Sequence, residues 1–218
     1  MQFLRTISAL LAILLLLGLS AISASRLLAS VYADYGNRLA ESRASNLNRA
    51  GTALDVATRL WPLGAEYYNQ LGLLAVRAGD FSVAEDAYLQ SLRLRPTWPY
   101  TWGNLAQYRL TRGLTDELFT SIWEYGLKLG PAEDRLHLAY SQIGLSAWYR
   151  LSRQQRAALR RSLDYLLTAP NAENSLRELR LFAQRQRLQP LLCRLSDDAI
   201  TLKEWCERHT DTRRASLR

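Results

Sequence analysis

The side chains that most often catalyse reactions or bind metal ions are few and scattered in this sequence of 218 residues. His137 and His209 lie in distant segments, and neither has the cysteine and carboxylate neighbours of a zinc site. The stretch 144–146 (Gly-Leu-Ser) lacks the second glycine of a nucleophile elbow. The adjacent Asp197 and Asp198 favour compensation of a helix dipole over acid–base chemistry. The sequence therefore predicts a protein that is not an enzyme and needs no metal or cofactor.

Arginine supplies most of the positive charge, and the surplus lies in the C-terminal part. The net charge is +8; residues 1–130 carry twelve basic and ten acidic side chains, whereas residues 131–218 carry sixteen and ten. One acid-free stretch spaces its arginines by three and four residues, which places several on one helix face. The members of this basic face are Arg150, Arg153, Arg156, Arg160 and Arg161. It suits an anionic lipid surface or an acidic glycan better than nucleic acid, and an ordinary solvated face is the alternative.

Two cysteines, Cys193 and Cys206, permit one disulfide without demanding it. Ser196 and the acidic residues after it predict a helix start, which places Cys206 roughly 15 Å along that helix. If residues 193–196 run back beside the helix in extended form, the two Cα atoms approach to about 5–6 Å, which a disulfide accepts. A body outside the cytoplasm favours the bond, whereas a cytoplasmic body favours two buried thiols.

An uncharged run near the N-terminus indicates a membrane helix. The run covers residues 6–25, and its core, Ile7–Ala24, is dense in Leu, Ile and Ala. Eighteen helical residues span roughly 27 Å, close to the hydrocarbon thickness of a bilayer. A cleaved signal peptide is the alternative, because residues 21–23 (Ala-Ile-Ser) form a passable cleavage site. The run is longer than a usual signal-peptide core, so the sequence favours an uncleaved anchor over residues 1–25.

Two opposing indications bear on the orientation of this helix. Arg26, Arg38 and Arg43 follow the run and only Arg5 precedes it, which slightly favours a cytoplasmic body by the positive-inside rule. A short basic tail before an apolar run is, however, the usual shape of an export signal, which keeps the N-terminus inside. We give more weight to the export signal and expect a single-pass inner-membrane protein with a periplasmic body.

Prolines recur at a period that is typical of helical repeats. Pro62, Pro96 and Pro131 are 34 and 35 residues apart, and Pro170 follows after a longer gap. Within residues 65–98 an aromatic residue, a Leu-Gly pair and further small and aromatic positions precede the closing proline. These positions are Tyr68, Leu71, Gly72, Ala75, Gly79, Ala84, Tyr88, Ser91 and Pro96. The pattern resembles the tetratricopeptide repeat (TPR), a pair of packed helices in which small residues sit where the helices cross.

Neighbouring units repeat parts of this spacing. The unit before keeps Ala50, Leu54 and Ala57, and the unit after keeps Trp102, Leu105, Ala106, Gly113, Leu118 and Ile122. A degenerate fourth unit keeps Ala158, Ser162 and Tyr165 after an atypical helix at about 133–150. The first helix of the earliest unit falls near residues 27–41, as a direct continuation of the anchor.

Beyond Pro170 the period stops, and two capping helices are expected. One starts from Asn171 or Asn174 and runs to about Leu188, and the other runs from Ser196 to about Arg208, before a frayed tail. The predicted fold is all-α: an N-terminal transmembrane helix, a TPR-like helical-hairpin solenoid and a C-terminal helical cap. The corresponding segments are residues 1–25, 26–170 and 171–218.

The TPR resemblance implies a partner groove lined by the first helix of each unit. The positions that would face it are Glu66, Asn69, Leu73, Val76 and Arg77 in one unit, and Tyr100, Gly103, Asn104, Gln107 and Thr111 in the next. The two asparagines suit hydrogen bonds to an extended peptide, and the arginine suits a carboxylate. Each residue taken singly is better explained as an ordinary solvated helix position, and the set is a stronger candidate than its members.

The layout of anchor, repeats, basic C-terminal part and late cysteine pair resembles VpsP-type accessory proteins of exopolysaccharide biosynthesis. That resemblance implies a membrane-anchored scaffold that binds other proteins of a polysaccharide or envelope machine. Two alternatives remain: a binder of an anionic polymer or lipid surface through the basic face, and a TPR chaperone of envelope assembly that binds unfolded clients.

Overall fold

The computed structural model describes residues 2–42, 46–196, 202–203 and 205–207. Within these residues every regular element is a helix, and the repeats are TPR-like helical hairpins. The predicted all-α fold is therefore confirmed. The chain divides into two compact units, Met1–Pro96 and Thr97–Arg218.

The first unit consists of two helical hairpins. Its helices are α1 (Gln2–Ser42), α2 (Leu47–Leu60), α3 (Ala65–Ala78) and α4 (Phe81–Leu94). α1 packs on α2, α3 packs on α4, and α2 joins the hairpins by packing on α3. The core between α1 and α2 is built largely from alanines, including Ala29, Ala33 and Ala50, which let the two helix backbones approach closely.

Helix α1 continues without a break from the apolar run into the first hairpin. Its apolar side chains from Leu10 to Ile22 are exposed, whereas Ala29, Ala33 and Ala40 are buried against the hairpin partner. In the described part of the chain one helix segment, Leu10–Ser42, is long and apolar enough to cross a membrane, with a mean hydropathy of 2.1. Length and composition alone support this, and a signal sequence has the same properties.

The second hairpin shows why the repeat needs its small residues. Gly72 of α3 lies against the Tyr88 ring of α4, and a Cβ atom added there would lie 2.6 Å from Cε1 of Tyr88. Gly79 has a φ of +79°, the left-handed conformation that ends α3. Asp80 then starts α4 by accepting a hydrogen bond from the Val83 backbone N–H at 3.3 Å.

We expect Gly72→Ala to destabilise the first unit by about 1–3 kcal/mol, the usual result of overpacking. The Tyr88 ring is only 1% exposed, so it has no open space to move into. Gly51→Ala in α2 is the matched control, since its added Cβ would lie 3.7 Å from Leu74, an ordinary contact. Urea denaturation of both variants in detergent measures the difference. Equal midpoints would show that the α3–α4 crossing tolerates a methyl group.

The second unit contains six helices and one short 3-10 turn within its described residues. They are α5 (Pro99–Thr111), α6 (Glu117–Leu129), α7 (Asp134–Ala147), the 3-10 turn Trp148–Arg150, α8 (Arg153–Thr168), α9 (Glu173–Arg185) and α10 (Gln189–Leu195). α5 pairs with α6 and α7 pairs with α8, while α9 packs on α7 and α10 packs on α9. At the centre, Phe119, Trp123 and Tyr140 are completely buried.

One repeat position of α6 differs in burial from its equivalent in the preceding unit. Leu118 corresponds to the buried Ala84 but is 55% exposed, whereas Phe119 and Ile122 are buried. The cause is the loop before α6. Nη2 of Arg109 donates to both carboxylate oxygens of Asp116 at 2.8 and 3.1 Å, and Asp116 Oδ1 accepts the Phe119 N–H at 3.0 Å. These bonds begin α6 at Glu117 and turn Phe119 inward.

The expected caps and bounds of the C-terminal helices also need correction. α9 follows Ala172 without a side-chain cap from Asn171 or Asn174, and it ends at Arg185. Ser196 follows α10, and its hydroxyl donates to the Leu192 carbonyl at 2.6 Å. The start of the helix expected from Ser196 to about Arg208 lies outside the described residues. Asp197, Asp198, Arg208, His209 and the tail lie outside the described residues, although 202–203 and 205–207 are helical.

Candidate functional site

In the first unit, the groove candidates lie on α3 and differ in how accessible they are. Asn69 is buried and makes contacts of its own within the structure. Leu73 is 40% exposed, while Glu66 and Val76 are half-buried. Leu73 and Arg77 are therefore the exposed candidates on α3, and Asn69 is the least accessible.

Arg77 has a structural partner that the sequence did not reveal. Its Nη2 donates to the Ala40 carbonyl at 2.7 Å. Ala40 lies in the last turn of α1, where carbonyl groups lack helical partners and where positive charge is favourable. Arg77 therefore ties α3 to the end of α1, and a ligand carboxylate would have to share this guanidinium.

In the second unit, the groove candidates Tyr100, Asn104 and Gln107 lie three or four residues apart on α5, which places them along one helix face. Gln107 and Thr111 are exposed, Asn104 is half-buried and Gly103 is buried. Gln107 is consequently the most accessible amide among the candidates.

Tyr100 is held at the start of α5 by a carboxylate. Its hydroxyl donates to Glu133 Oε2 at 2.8 Å, and its ring meets Trp98 edge-on with centroids 6.1 Å apart. The pKa of Tyr100 is raised, first by this hydrogen bond and then by burial and the nearby negative charge. The phenol thus stays protonated and remains a hydrogen-bond donor.

The structure divides the predicted basic face into three parts. Arg153, Arg156 and Arg160 line a shallow depression of about 280 Å³ together with Trp148 and Ala157. The guanidinium carbon of Arg156 lies 4.8 Å from the centre of the Trp148 ring, within cation–π range. Arg161 turns instead towards Glu124, with 3.7 Å between Nη2 and Oε1, and Arg150 is exposed on the 3-10 turn.

This arginine–tryptophan depression has the chemistry of an anion site. Three guanidinium groups present planar sets of donors to carboxylate or phosphate oxygens, and the indole offers a face for stacking a sugar ring or an apolar group. Trp148 was missed from the sequence because it lies outside α8. The sequence carried no signal for this contact, because the 3-10 turn before α8 brings the indole to Arg156.

A second depression, of about 510 Å³, lies between α6 and α8 beside the start of α7. Its lining residues are Glu124, Leu127, Lys128, Pro131, His137, Arg161 and Tyr165. The His137 ring stacks on Tyr165 with centroids 4.1 Å apart, and its Nε2 lies 3.1 Å from the Pro131 carbonyl. Its Nδ1 is buried without a hydrogen-bond partner. The histidine is therefore built into the wall as a packed side chain.

Stability should fall with acid because of His137. Burial, as the largest cause, lowers the pKa of His137 below its usual 6.5, while the Pro131 hydrogen bond and the charge of Asp134 act in the opposite direction. The unfolded chain therefore binds more protons between pH 6.5 and the folded pKa, so the free energy of unfolding decreases as the pH falls through that window.

His137→Phe keeps a ring to stack on Tyr165 and should remove much of this pH dependence. Urea midpoints at neutral and mildly acidic pH measure the effect for both chains. His209 remains in the variant as an internal control. An equal loss of stability in both chains would assign the acid sensitivity to other groups.

Groups suited to a resident metal ion were not found within residues 2–42, 46–196, 202–203 and 205–207: no three His, Cys, Asp or Glu side chains converge there.

Cys193 and Cys206 are joined by a disulfide in the structure, with Cα atoms 5.8 Å apart. The route differs from the one expected, because residue 193 lies within helix α10 and not in an extended segment. The bond links α10 to the helical residues 205–207. It therefore closes the C-terminal cap of the second unit.

Removing this bond by Cys193→Ser with Cys206→Ser should lower the stability of the cap by about 2–3 kcal/mol. A loop of this size loses that much unfolded-state entropy when it is closed. Urea denaturation with and without reductant, followed by limited proteolysis of the C-terminal segment, measures the effect. The reduced wild-type chain should match the double-serine variant. A wild-type chain insensitive to reductant would show that the bond does not constrain the cap.

Comparison with solved structures gives TPR proteins as structural neighbours. A crystal structure of MamA has a TM-score of 0.50 at 19% identity, covering 70% of this chain and 76% of that chain. A second MamA structure has a TM-score of 0.49 at 19% identity, covering 66% and 77%. YrrB, described as a TPR protein with an unusual peptide-binding site, has a TM-score of 0.47 at 14% identity, covering 83% and 90%.

At these identities the likeness concerns the fold alone. No family model and no curated protein matches the sequence. The fold defines a chain of TPR-like helical hairpins preceded by a long apolar helix.

Proposed function

We propose that this protein is a membrane-anchored TPR-like scaffold that binds other proteins of a cell-envelope machine, in exopolysaccharide biosynthesis or export. The observation that carries the proposal is the continuity of α1. One helix holds both the exposed apolar run and the buried face of the first hairpin. Anchorage of that run would therefore attach the first hairpin directly to the bilayer, without an intervening linker.

The partners are proposed to be proteins, and catalysis is not part of the role. Extended peptides carry unpaired backbone N–H and C=O groups, which side-chain amides satisfy in both directions. Gln107 is exposed and Asn104 half-buried on one face of α5, with the Tyr100 phenol at its start. This arrangement of donors and acceptors favours a polypeptide partner.

A periplasmic body and an inner-membrane anchor are proposed together. The disulfide between Cys193 and Cys206 supports this placement, because disulfides persist in oxidising compartments and are rare in the cytosol. The export-signal shape of the N-terminus supports it as well.

Topology is the first test. Alkaline phosphatase and green fluorescent protein are fused separately after Arg218 and assayed in a Gram-negative host. Phosphatase activity without fluorescence is expected. Fluorescence without phosphatase activity would place the body in the cytoplasm and overturn the envelope role.

Site-specific photo-crosslinking then tests the scaffold itself. A photo-reactive amino acid at Gln107, on the proposed partner face, should capture protein partners in the native host. Ser121 on α6 is the control, since it is exposed on the second helix of the same hairpin. Equal crosslinks at both positions would argue against a groove, and partners outside polysaccharide machinery would reject that part of the proposal.

A second candidate function is binding of an anionic polymer, which the arginine–tryptophan depression favours. Replacing Arg153, Arg156 and Arg160 together by Gln should abolish salt-sensitive binding of an acidic polysaccharide such as alginate. Replacing Arg177, Arg185 and Arg194 by Gln removes the same charge elsewhere in the second unit and is the matched control. Equal losses in the two variants would indicate only a general charge effect.

A further inference from the structure

The proposed anchor sets a level along α1 at which the bilayer should end. No charged residue occurs from residue 6 to residue 25, and Arg26 follows immediately. Twenty helical residues span about 30 Å, which matches the hydrocarbon core of a bilayer. If α1 crosses the membrane, Ser25 and Arg26 therefore lie at the boundary between hydrocarbon and headgroups.

The loop that follows helix α2 lies at the same level along α1 as Ser25 and Arg26. α2 runs antiparallel to α1, so Gly36 faces Ala50 and Leu54 while the Ser25 hydroxyl donates to the Leu60 carbonyl at the far end. One residue further on, the guanidinium carbon of Arg26 lies 5.7 Å from the centre of the Trp61 ring. The end of α2 and the loop that follows it are therefore level with the end of the apolar run.

This loop, residues 61–64, presents an apolar tip. It is closed by hydrogen bonds from the Gly64 N–H to the Trp61 carbonyl at 3.0 Å and from the Ala65 N–H to the Leu63 carbonyl at 3.1 Å. The closure leaves Leu63 67% exposed. On α1, Leu27 and Leu28 are 66% and 50% exposed just beyond the boundary.

We propose that residues 61–64, which we call the interfacial loop, lie in the headgroup layer of the bilayer together with Leu27 and Leu28. The inference rests on the proposed anchor. Tryptophan is enriched at this depth because its ring is apolar and its N–H is polar. Arg26 lies beside that ring, where its guanidinium group meets the phosphates of lipid headgroups. Leu63 extends from the loop, and lipid contact removes its apolar surface from water.

The interfacial loop gives the first unit a second attachment to the membrane. A single helix leaves the attached unit able to rotate about the helix axis and to tilt. A second contact at the side of that helix restricts both motions. The first unit would then present one fixed side to partners, which a scaffold on a membrane requires.

Only apolar residues close to the membrane boundary can reach the headgroup layer, because this layer is thin. A headgroup layer is roughly 5–8 Å thick, and a helix rises 1.5 Å per residue, so Leu27 and Leu28 lie about 3–5 Å beyond Ser25. Tyr35 lies about 15 Å beyond it and is outside the layer. The proposed contact therefore ends within one to two turns of Arg26.

Fluorescence quenching in a reconstituted bilayer tests this depth. The full chain, carrying one added cysteine labelled with an environment-sensitive fluorophore, is reconstituted into vesicles of phosphatidylcholine and phosphatidylglycerol. The acyl chains are brominated near the headgroup in one set of vesicles, which tests Leu63, and near the chain end in a second set, which tests Leu17. Leu63→Cys tests the loop, Leu17→Cys reports on the apolar run, and Glu41→Cys is the control, about 24 Å beyond Ser25 along α1. The parent chain, whose two cysteines are paired in the structure, gives the background.

Labels at Leu17 and Leu63 should both be quenched, Leu63 by roughly twofold or more, as expected for burial at the headgroup boundary. The label at Glu41 should be unchanged. Quenching at Leu17 without quenching at Leu63 would overturn the inference and leave the anchor standing. No quenching at Leu17 would overturn the anchor itself, and the inference with it.

Discussion

Replacing Trp123 by Ala should lower the free energy of unfolding of the second unit by about 3–5 kcal/mol, the usual range for deletion of a buried large aromatic side chain. Trp123 is completely buried in α6. It meets Phe119 edge-on at 5.4 Å and stacks on Tyr140 at 5.3 Å, between ring centroids. The substitution would leave a cavity at the contact between α6 and α7, which neighbouring helices fill only in part.

Two further variants distinguish the loss of core packing from the loss of an aromatic side chain as such. Trp123→Phe keeps an aromatic ring and also removes the indole N–H, which is buried without a hydrogen-bond partner, so its loss should be much smaller. Tyr149→Ala removes an aromatic ring that is 87% exposed and should change stability little. Urea denaturation followed by circular dichroism measures all three. Equal losses for Trp123→Ala and Tyr149→Ala would show that α6 does not hold the core.

The repeat architecture was predictable because proline ends a helix through its own backbone, without contacts to distant residues. Pro62, Pro96, Pro131 and Pro170 each lie two residues beyond the end of a second helix, namely α2, α4, α6 and α8. Proline lacks the N–H that continues a helix, so its period in the sequence marks the period of the hairpins. The Gly72 contact with Tyr88 likewise follows from residue size at a helix crossing.

The burial of Phe119 in place of Leu118 was not predictable from the same pattern, because a contact between the end of α5 and the loop before α6 decides it. Arg109 is 7% exposed and needs an acceptor, and Asp116 supplies one from seven residues later. The Phe119 N–H, assisted by Arg109, holds the pKa of Asp116 below its usual range. Repeat spacing alone gave Leu118, and the contacts of Asp116 turn Phe119 inward instead.

The C-terminal cap shows a different limit of prediction from the sequence, which is the length of the helix. Helix α10 has only seven residues, too few for a hydrophobic period to reveal it, and its one signal was Pro190 in the first turn. The sequence permitted a bond between Cys193 and Cys206 only if residues 193–196 ran back beside the helix in extended form. In the structure residue 193 lies within α10, and the two Cα atoms are 5.8 Å apart by this other route.

The sequence predicted which types of residue lie on the proposed binding surfaces, but it did not predict which groups those residues contact. The sequence identified Arg77 as a cation on the proposed partner face, but its hydrogen bond to Ala40 arises because two helices meet 37 residues apart. The same holds for Arg156 and Trp148, whose contact needs the 3-10 turn to bring the indole beside α8. Contacts between residues of two different elements can be identified only from the three-dimensional structure. Residues that share one face of a single helix can be identified from the helical period of the sequence.

Two arginines in the apolar run, Leu14→Arg with Leu17→Arg, should release the chain from the membrane. Both leucines are more than 60% exposed and lie near the middle of the uncharged run. An arginine near the centre of a membrane helix costs about 2.5–3.5 kcal/mol on insertion scales, so two should oppose insertion by about 5–7 kcal/mol. Leu14→Ala with Leu17→Ala is the matched control, since it removes the same side chains and adds no charge.

Alkaline carbonate extraction of membranes, with immunodetection of both fractions, measures this release. The wild-type and alanine chains should stay in the pellet, and the arginine chain should appear in the soluble fraction. The interfacial loop would not compensate, because burial of a few side chains in the headgroup layer gives only reversible binding. A wild-type chain that is extracted and shortened at its N-terminus would instead indicate a cleaved signal peptide. An arginine chain that stays in the pellet would show that α1 is not what holds the protein to the membrane.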